Sequence, residues 1–227
     1  MKKALVLNGS PKAASDTMML TNAFLKGLTE NGEYGAEIID VIRKDIRPCR
    51  GCLQCWENAD GRCVQQDDQN AILEKYAAAD VILYSFPLYC YAMPSHLKAV
   101  LDRTIPLLCG RMVKQGDMIR HVPIVDFSGK KTVVISGCGF PNWENNFKGL
   151  RIMCRNCFVD PTMIFVPEAP MMHVEEARIA AEPLLEKFER AGGEFARCGG
   201  ISGETIRELE TPMIPAELYI AKVNGTA

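Results

Sequence analysis

Four cysteines in residues 45–64 form the densest group of potentially reactive side chains in the sequence. Cys49, Cys52, Cys55 and Cys63 follow the spacing C-x2-C-x2-C-x7-C. Two overlapping C-x2-C steps place three thiols on one tight loop, and compact sets of thiolates bind iron–sulfur clusters. Structural zinc more often uses two separated C-x2-C pairs. The spacing therefore favours a [4Fe–4S] cluster, and it leaves zinc, a redox disulfide and free thiols as alternatives.

A second group of chemically capable residues lies near the N-terminus, between a predicted strand and a predicted helix. Residues 4–7 are a continuous apolar run typical of a buried strand, and apolar residues at helical spacing begin at Met18. A helix N-terminus offers unpaired backbone N–H groups and the positive end of the macrodipole, so it can bind a phosphate. The simpler alternative is a tight turn in which Ser15 or Asp16 only caps the helix. The candidate phosphate ligands are Ser10, Lys12, Ser15, Asp16 and Thr17.

This loop matches neither of the two best-known phosphate motifs. It lacks GxxxxGK(S/T), which argues against a nucleotide triphosphatase, and it lacks the dinucleotide fingerprint GxGxxG. Hydroxyls and amides with little positive charge suit a monophosphate such as that of FMN.

The composition narrows the class of protein. With 26 basic and 28 acidic residues, the net charge of −2 gives no electrostatic reason to expect nucleic-acid or anionic-membrane binding. The apolar run after Lys2 and Lys3 is too short for a signal peptide, and no apolar run reaches membrane-spanning length. We therefore expect a soluble cytoplasmic protein. In a reducing compartment, ten cysteines indicate metal or redox chemistry more than structural disulfides.

Predicted strands and helices alternate along the chain. Ser95 is expected to cap a helix, and Pro183 is expected to kink one. Residues 105–129 are predicted to be a long irregular loop, and residues 194–227 an extended C-terminal extension without helical periodicity. Further strands are predicted over residues 36–42, 80–86, 131–136 and 162–166, and further helices over 67–76, 95–103, 144–157 and 174–192.

Five strands alternating with helices predict a three-layer α/β fold. The arrangement that suits them is a flavodoxin-like, doubly wound, parallel five-stranded sheet in the order 2-1-3-4-5. It would form one domain over residues 1–193, with the C-terminal extension outside it. In this order strands 1, 3 and 4 are neighbours. We therefore expect the loops 10–17, 87–94 and 136–142 to meet at one edge of the sheet and to form a ligand site there.

Three segments carry a resemblance to a known family: NGSPKAASDT, PCRGCLQCWENADGRCVQQDD and ADVILYSFPLYCYAMPSHLKAVLDR. In this order and spacing they resemble the NADPH-dependent FMN reductase-like flavodoxins, and more narrowly the iron–sulfur flavoproteins within that group. The resemblance extends over about residues 1–170. It does not include the C-terminal extension.

The resemblance implies an FMN site formed by the three loops. The N-terminal loop would hold the phosphate, and Cys49, Cys52, Cys55 and Cys63 would hold a [4Fe–4S] cluster. It also implies a homodimer or homotetramer with a neighbouring subunit near the flavin. The residues implied to border the isoalloxazine are Pro87, Leu88, Tyr89, Cys90, Tyr91 and Ala92 on one side and Ser136, Gly137, Cys138, Gly139 and Phe140 on the other.

Two positions depart from the family pattern. Asp16 stands where relatives usually carry Asn, and a carboxylate there would repel a phosphate unless it caps the helix and points away. Cys90 and Tyr91 stand in the flavin loop where small residues are common.

The leading functional hypothesis is an FMN-dependent oxidoreductase or electron-transfer flavoprotein. NAD(P)H would act as a transient donor, because the sequence has no dinucleotide fingerprint. The acceptor would be a quinone, an aromatic compound, dioxygen or a redox protein. No side chain is assigned a catalytic role, since the flavin carries the chemistry, and His96 and His121 are expected to be structural or exposed. The alternative is a cysteine-based zinc-binding or redox-sensing module on the same fold without flavin.

Overall fold

The sheet places the predicted site loops at one edge. The computed structural model describes residues 1–58, 60–141, 143–174 and 178–226. Five parallel strands form the central sheet in the order β2-β1-β3-β6-β7, which is the predicted order 2-1-3-4-5 once a separate two-stranded hairpin is counted in chain order. The strands are β1 (Lys2–Asn8), β2 (Tyr34–Asp40), β3 (Val81–Pro87), β4 (Leu108–Gln115), β5 (Met118–Pro123), β6 (Lys131–Gly137) and β7 (Thr162–Val166).

The apolar strands are buried because helices cover both faces of the sheet. In β1, Leu5 and Leu7 pack into the core on one face, whereas Ala4 and Val6 pack into the core on the other. The helices Gln69–Ala78, Ser95–Asp102 and Lys148–Cys157 contribute to the first core, and the helices Asp16–Thr29 and Arg178–Cys198 contribute to the second. The helices are α1 (Asp16–Thr29), α2 (Gln54–Asn58), α3 (Gln69–Ala78), α4 (Ser95–Asp102), α5 (Trp143–Asn146), α6 (Lys148–Cys157), α7 (Arg178–Cys198), α8 (Gly203–Leu209) and α9 (Ala216–Val223).

Helices α1 and α7 cross at two glycines. A Cβ atom built on Gly27 would lie 1.8 Å from the carbonyl oxygen of Glu189, and one built on Gly192 would lie 1.9 Å from that of Phe24. The two backbones therefore approach more closely than any other residue type allows.

The prediction of an irregular loop over 105–129 is wrong. After a 3₁₀ turn at Ile105–Leu107, strands β4 and β5 form an antiparallel hairpin. Gly116, with φ of +60°, lies in the turn between the two strands, where the left-handed backbone region favours glycine. Most residues of both strands are exposed or half-buried, so the sequence lacks the alternation of apolar and polar residues that would have predicted them.

The prediction of an extended C-terminal extension is also wrong. Helix α7 continues to Cys198, and α8 and α9 follow it. Ser202 caps α8 by accepting a hydrogen bond from the backbone N–H of Thr205. These two helices are short, and packing rather than periodicity stabilises them.

Smaller differences concern element ends. Pro94, not Ser95, occupies the N-cap position of α4, and β2 ends at Asp40 before a 3₁₀ turn. The helix predicted over 144–157 is divided at Phe147 into α5 and α6. Residues 175–177 of the predicted helix 174–192 and Asn142 of the predicted loop 136–142 lie outside the described residues.

Among the helices that the structure describes, none is long and apolar enough to cross a membrane.

Candidate functional site

The three predicted loops meet in one pocket at the carboxyl ends of β1, β3 and β6. The pocket has a volume of about 120 Å³. Its wall contains all five candidate phosphate ligands together with residues from both other loops. It is lined by Ser10, Lys12, Ser15, Asp16, Thr17, Pro87, Leu88, Tyr89, Gly137, Cys138, Gly139, Ala169 and Pro170.

The N-terminal loop is held by hydrogen bonds that the sequence pattern did not reveal. The backbone N–H of Ser10 donates to the side chain of Asn8 over 3.0 Å, and His96 Nε2 lies 2.8 Å from the carbonyl oxygen of Gly9. A Cβ on Gly9 would lie 2.6 Å from a side-chain carbon of Leu97, so only glycine lets this loop lie against α4. The contact with Gly9 holds His96 against the N-terminal loop.

Ser15 caps helix α1. Its hydroxyl accepts a hydrogen bond from the backbone N–H of Met18 over 3.2 Å and lies 3.0 Å from the hydroxyl of Thr17. Both side chains are buried at the first turn, beside backbone N–H groups that have no partner within the helix. This arrangement matches the hydrogen-bonding needs of an anion.

Asp16 does not cap the helix. Instead, its carboxylate lies 2.8 Å from Nε2 of His173 and 3.7 Å from Nζ of Lys12. Two potential cations therefore stand beside the one acidic group of this loop. His173 belongs to a 3₁₀ turn at Ala169–His173, directly after β7.

The loop after β6 packs closely between the other walls. A Cβ on Gly137 would lie 2.6 Å from Cβ of Ala169 and 3.3 Å from a methyl group of Thr17. The carbonyl of Gly137 also accepts a hydrogen bond from the backbone N–H of Leu88 over 2.8 Å, which ties this loop to the one after β3. Burial raises the pKa of the Cys138 thiol, so this side chain adds no negative charge to the pocket near neutral pH.

The loop after β3 contains a tight turn with unusual backbone angles. Tyr89 and Ala92 exchange both backbone hydrogen bonds, at 3.1 and 3.0 Å, around the two central residues. Cys90 has φ of 46° and Tyr91 has φ of 62°, so both occupy the left-handed region. That region costs little for glycine and considerably more for a bulky side chain. The departure from small residues in this loop therefore introduces local strain.

The remaining predicted flavin residues lie around the pocket rather than in its wall. Cys90, Tyr91, Ala92 and Phe140 are exposed beside it. Ser136 is fully buried, and its hydroxyl has no hydrogen-bond partner among the described residues.

Sequence reasoning missed Ala169, Pro170 and His173. They follow the fifth strand, and the rule that ligands bind at the carboxyl ends of parallel strands was the available signal.

The four cysteines of residues 45–64 line a second cavity, of about 60 Å³. The pKa of the Cys55 thiol is raised chiefly by burial, and the neighbouring thiols of Cys63, Cys52 and Cys49 raise it further. In the described part of the chain, however, no group of three or more His, Cys, Asp or Glu side chains is arranged to hold a metal ion. The thiols therefore surround one space without forming a ready metal site.

The loop that carries these cysteines is anchored on two sides. Arg103 lies against the cavity and forms a buried double hydrogen bond with the carboxylate of Asp67. Trp56 donates from Nε1 to the carbonyl of Ile105 over 3.2 Å, and its ring lies 4.7 Å from that of His121, centroid to centroid. His121, on β5, therefore packs the hairpin against this loop.

The strand order and the pocket at the carboxyl ends of β1, β3 and β6 define a flavodoxin-fold protein with a pocket at its topological switch point. The model of the family described as NADPH-dependent FMN reductase matches residues 2–132. The chain belongs to this family.

Individual relatives agree with this assignment. An iron–sulfur flavoprotein of Methanocaldococcus jannaschii is 34% identical over 108 residues, which are 48% of this chain and 54% of that protein. An FMN-dependent NADH:quinone oxidoreductase of Bradyrhizobium sp. is 39% identical over 70 residues, which are 30% of this chain and 32% of that protein. The chain thus matches about half the length, or less, of these curated relatives.

The fold also occurs in solved structures. An FMN-dependent NADH-azoreductase from Bacillus anthracis in complex with FMN superimposes with a TM-score of 0.62 at 17% identity, covering 86% of this chain and 100% of that one. At this identity the likeness concerns the fold alone.

Proposed function

We propose that this protein is an FMN-dependent oxidoreductase that takes electrons from NAD(P)H and passes them to a small acceptor. The observation that carries the proposal is the pocket in which buried hydroxyls at the N-terminus of α1 face loops from β3 and β6. Membership of the NADPH-dependent FMN reductase family supports it.

The donors in the pocket fit the phosphate of FMN. Ser10, Ser15 and Thr17 would donate hydroxyl hydrogen bonds, and Lys12 together with the first turn of α1 would supply positive potential. Lys12 and His173, which lie beside the carboxylate of Asp16, would reduce the repulsion between that carboxylate and the phosphate.

The flavin ring fits the exposed surroundings of the pocket. Tyr89, Tyr91 and Phe140 present exposed aromatic side chains that would border it. When bound, FMN would supply the redox chemistry, and this chain would orient the ring and leave one part of it open to donor and acceptor. No side chain is required as an acid or base.

Quinones and other aromatic compounds are the proposed acceptors. The named activity of two relatives supports this class, since both are FMN-dependent NADH:quinone oxidoreductases. Such compounds would stack on a flavin beside exposed tyrosines. Dioxygen and a redox protein are further acceptors, and the rate of NAD(P)H oxidation measured with each acceptor in turn would distinguish them.

We also propose that Cys49, Cys52, Cys55 and Cys63 hold a [4Fe–4S] cluster. Their common cavity and the iron–sulfur flavoproteins among the relatives support it. A cluster would supply single-electron transfer, and the loop would close around it as the thiols become thiolates. Arg103 beside the cavity would offset part of the added negative charge.

The test is an ultraviolet–visible spectrum of protein purified without oxygen, with iron, zinc and acid-labile sulfide assayed on the same sample. Flavin absorbance with about four irons per chain supports both proposals. Flavin without iron retains the oxidoreductase and excludes the cluster. Absence of flavin, with or without zinc, contradicts the proposed function.

Two cysteine variants, one at the cavity and one away from it, test the cluster assignment. The variant Cys55→Ser should lose iron and sulfide while keeping flavin, because Cys55 lines the cluster cavity and not the flavin pocket. The variant Cys198→Ser, at the exposed end of α7, should keep both. Equal iron contents in the two variants would contradict the cluster assignment.

Finally, we propose a homodimer or homotetramer whose contacts include the β4–β5 hairpin. Met112 and Ile119 on this hairpin are 62% and 71% exposed, which is unfavourable for large apolar side chains in a monomer. Replacing both with lysine should lower the native mass measured by light scattering. An unchanged mass would exclude the hairpin from the contact.

A further inference from the structure

Three backbone carbonyls of the loop after β6, those of Cys138, Gly139 and Phe140, accept hydrogen bonds from residues later in the chain. The carbonyl of Cys138 accepts a hydrogen bond from the N–H of Ala169 over 2.9 Å, and that of Phe140 accepts one from the N–H of Glu168 over 3.2 Å. Between them, the carbonyl of Gly139 accepts a hydrogen bond of 2.7 Å from the hydroxyl of Tyr219. Three successive carbonyls are thereby held by donors from the turn after β7 and from α9.

This pattern determines what the loop offers to a ligand. The backbone N–H groups of Gly139 and Phe140 have no hydrogen-bond acceptor among the described residues. Gly139 lines the flavin pocket, and Phe140 lies exposed beside it. Because the carbonyls are committed elsewhere, these N–H groups are available as donors to an oxygen or nitrogen atom of a bound molecule.

Glu168 connects the loop after β6 to residues 213 and 214. It is fully buried in the left-handed backbone region, with φ of 56°. Its carboxylate accepts hydrogen bonds from the backbone N–H groups of Met213 and Ile214 over 2.7 and 3.1 Å. Burial raises the pKa of this carboxyl group, and these two N–H donors offset part of that effect. A strained residue with a buried carboxyl group therefore anchors residues 45 and 46 positions later.

Tyr219 completes the connection. Only 5% of its side chain surface is exposed, and it packs with Met171, Met213 and Ile214 in a small apolar cluster. Helix α9 is thus attached to the pocket wall both by packing and by one phenolic hydrogen bond.

We propose that Tyr219 and Glu168 are positioning residues for the cofactor. They fasten residues 212–223, named here the C-terminal segment, to the loop after β6 and hold the N–H groups of Gly139 and Phe140 toward bound flavin. The proposal rests on the proposed binding of FMN. Both residues lie outside residues 2–132, so this wall is a feature of this chain beyond the region that the family model matches.

The test uses the variant Tyr219→Phe, which removes one hydroxyl and keeps the ring that packs in the apolar cluster. The carbonyl of Gly139 loses its partner and is free to turn, so the loop presents its donors less often. We expect the dissociation constant for FMN to rise about fivefold to tenfold, the loss of about one hydrogen bond. We also expect the visible absorption spectrum of the bound flavin to shift.

The matched control is Tyr76→Phe. It removes a phenolic hydroxyl that hydrogen-bonds to that of Tyr84 over 3.1 Å, in the core on the opposite face of the sheet from α1 and α7. This variant should change the melting temperature and leave FMN affinity and the flavin spectrum unchanged. If both variants alter the flavin equally, the effect is general destabilisation and the proposal is overturned.

A second pair of variants tests the positioning role of Glu168. Glu168→Gln keeps a carbonyl oxygen that can accept from Met213 and Ile214, and it should bind FMN nearly as well as the wild type. Glu168→Ala removes that acceptor and should weaken FMN binding at least as much as Tyr219→Phe. Should the alanine variant fail to fold, Tyr219→Phe decides alone.

The outcomes separate the two proposals. A wild-type protein that binds FMN, with a Tyr219→Phe variant that binds it equally well and with the same spectrum, overturns the positioning role alone. A folded wild-type protein that does not bind FMN refutes the proposed function, and the positioning role falls with it.

Discussion

His173 Nε2 lies 2.8 Å from Oδ1 of Asp16, a contact that joins the turn after β7 to the first turn of α1. It explains how a carboxylate is accommodated in a loop whose other polar groups suit a phosphate. The carboxylate is partnered on one side by His173 and approached on the other by Lys12, at 3.7 Å.

The variant His173→Ala should therefore weaken FMN binding. Without the imidazole, only the exposed Lys12 would remain beside the charge of Asp16 near the phosphate, and we expect the dissociation constant to rise about tenfold, equivalent to about 1.4 kcal/mol. Fluorescence titration with FMN measures this. Riboflavin, which has no phosphate, should bind both proteins equally.

The double variant Asp16→Asn/His173→Ala provides the complementary test, because it removes the charge together with its partner. Its affinity for FMN should return to near the wild-type value. An affinity as low as that of His173→Ala would contradict this electrostatic account.

The buried pair of Asp67 and Arg103 should make stability depend on pH. Burial alone would raise the pKa of Asp67, but hydrogen bonds from Arg103 and from backbone N–H groups outweigh it and lower that pKa below its ordinary value. The folded protein then binds fewer protons than the unfolded chain, so the stabilisation is complete above about pH 4 and is lost as the pH falls through the lowered pKa. Urea titrations at pH values from about 2 to about 7 measure this loss as a falling free energy of unfolding.

The variant Asp67→Asn tests the same pair at neutral pH. It removes the carboxylate that pairs with the buried guanidinium of Arg103, and the side chains of this pair are 0% and 1% exposed. We expect the free energy of unfolding at pH 7 to fall by about 3 kcal/mol. Its acid-dependent decline should also be shallower than that of the wild type. A variant that declines as steeply would assign the acid sensitivity to other groups.

The crossing of α1 and α7 should not tolerate a methyl group. In Gly27→Ala the new Cβ would meet the backbone carbonyl of Glu189 at 1.8 Å, so the helices must separate. We expect the free energy of unfolding to fall by about 2–3 kcal/mol in urea titrations. Gly200→Ala is the control, because a Cβ there has nothing within 4 Å. Equal stabilities of the two variants would show that the crossing adjusts without cost.

The turn at Tyr89–Ala92 should become more stable when its central residues suit its geometry. Cys90→Asn/Tyr91→Gly replaces two left-handed bulky residues by the pair that this kind of hairpin turn favours. We expect the free energy of unfolding of the flavin-free protein to rise by about 1–2 kcal/mol. Denaturant unfolding measures it, and a decrease would mean that the side chains of Cys90 and Tyr91 stabilise the turn by contacts that outweigh the strain. Weaker FMN binding by the same variant would indicate that strain is retained for the sake of ring contact.

The sequence by itself determined the sheet and the location of the pocket. A continuous apolar run, turn residues and a helical period are local signals, and they identify β1, the loop and α1 without knowledge of any partner. The rule that parallel strands place their carboxyl ends together then brought Ser10, Leu88 and Gly137 to one edge.

Tertiary structure alone decided the details of that pocket. Tyr219 and Gly139 are 80 residues apart, and Asp16 meets His173 across most of the chain, so no local pattern encodes either contact. Helices α8 and α9 are likewise not encoded by a local pattern. Helices this short are stabilised by burying apolar surface against the rest of the protein rather than by intrinsic helix propensity. Sequence periodicity predicts where a chain can form an element, whereas only packing decides which distant side chains that element places beside a ligand.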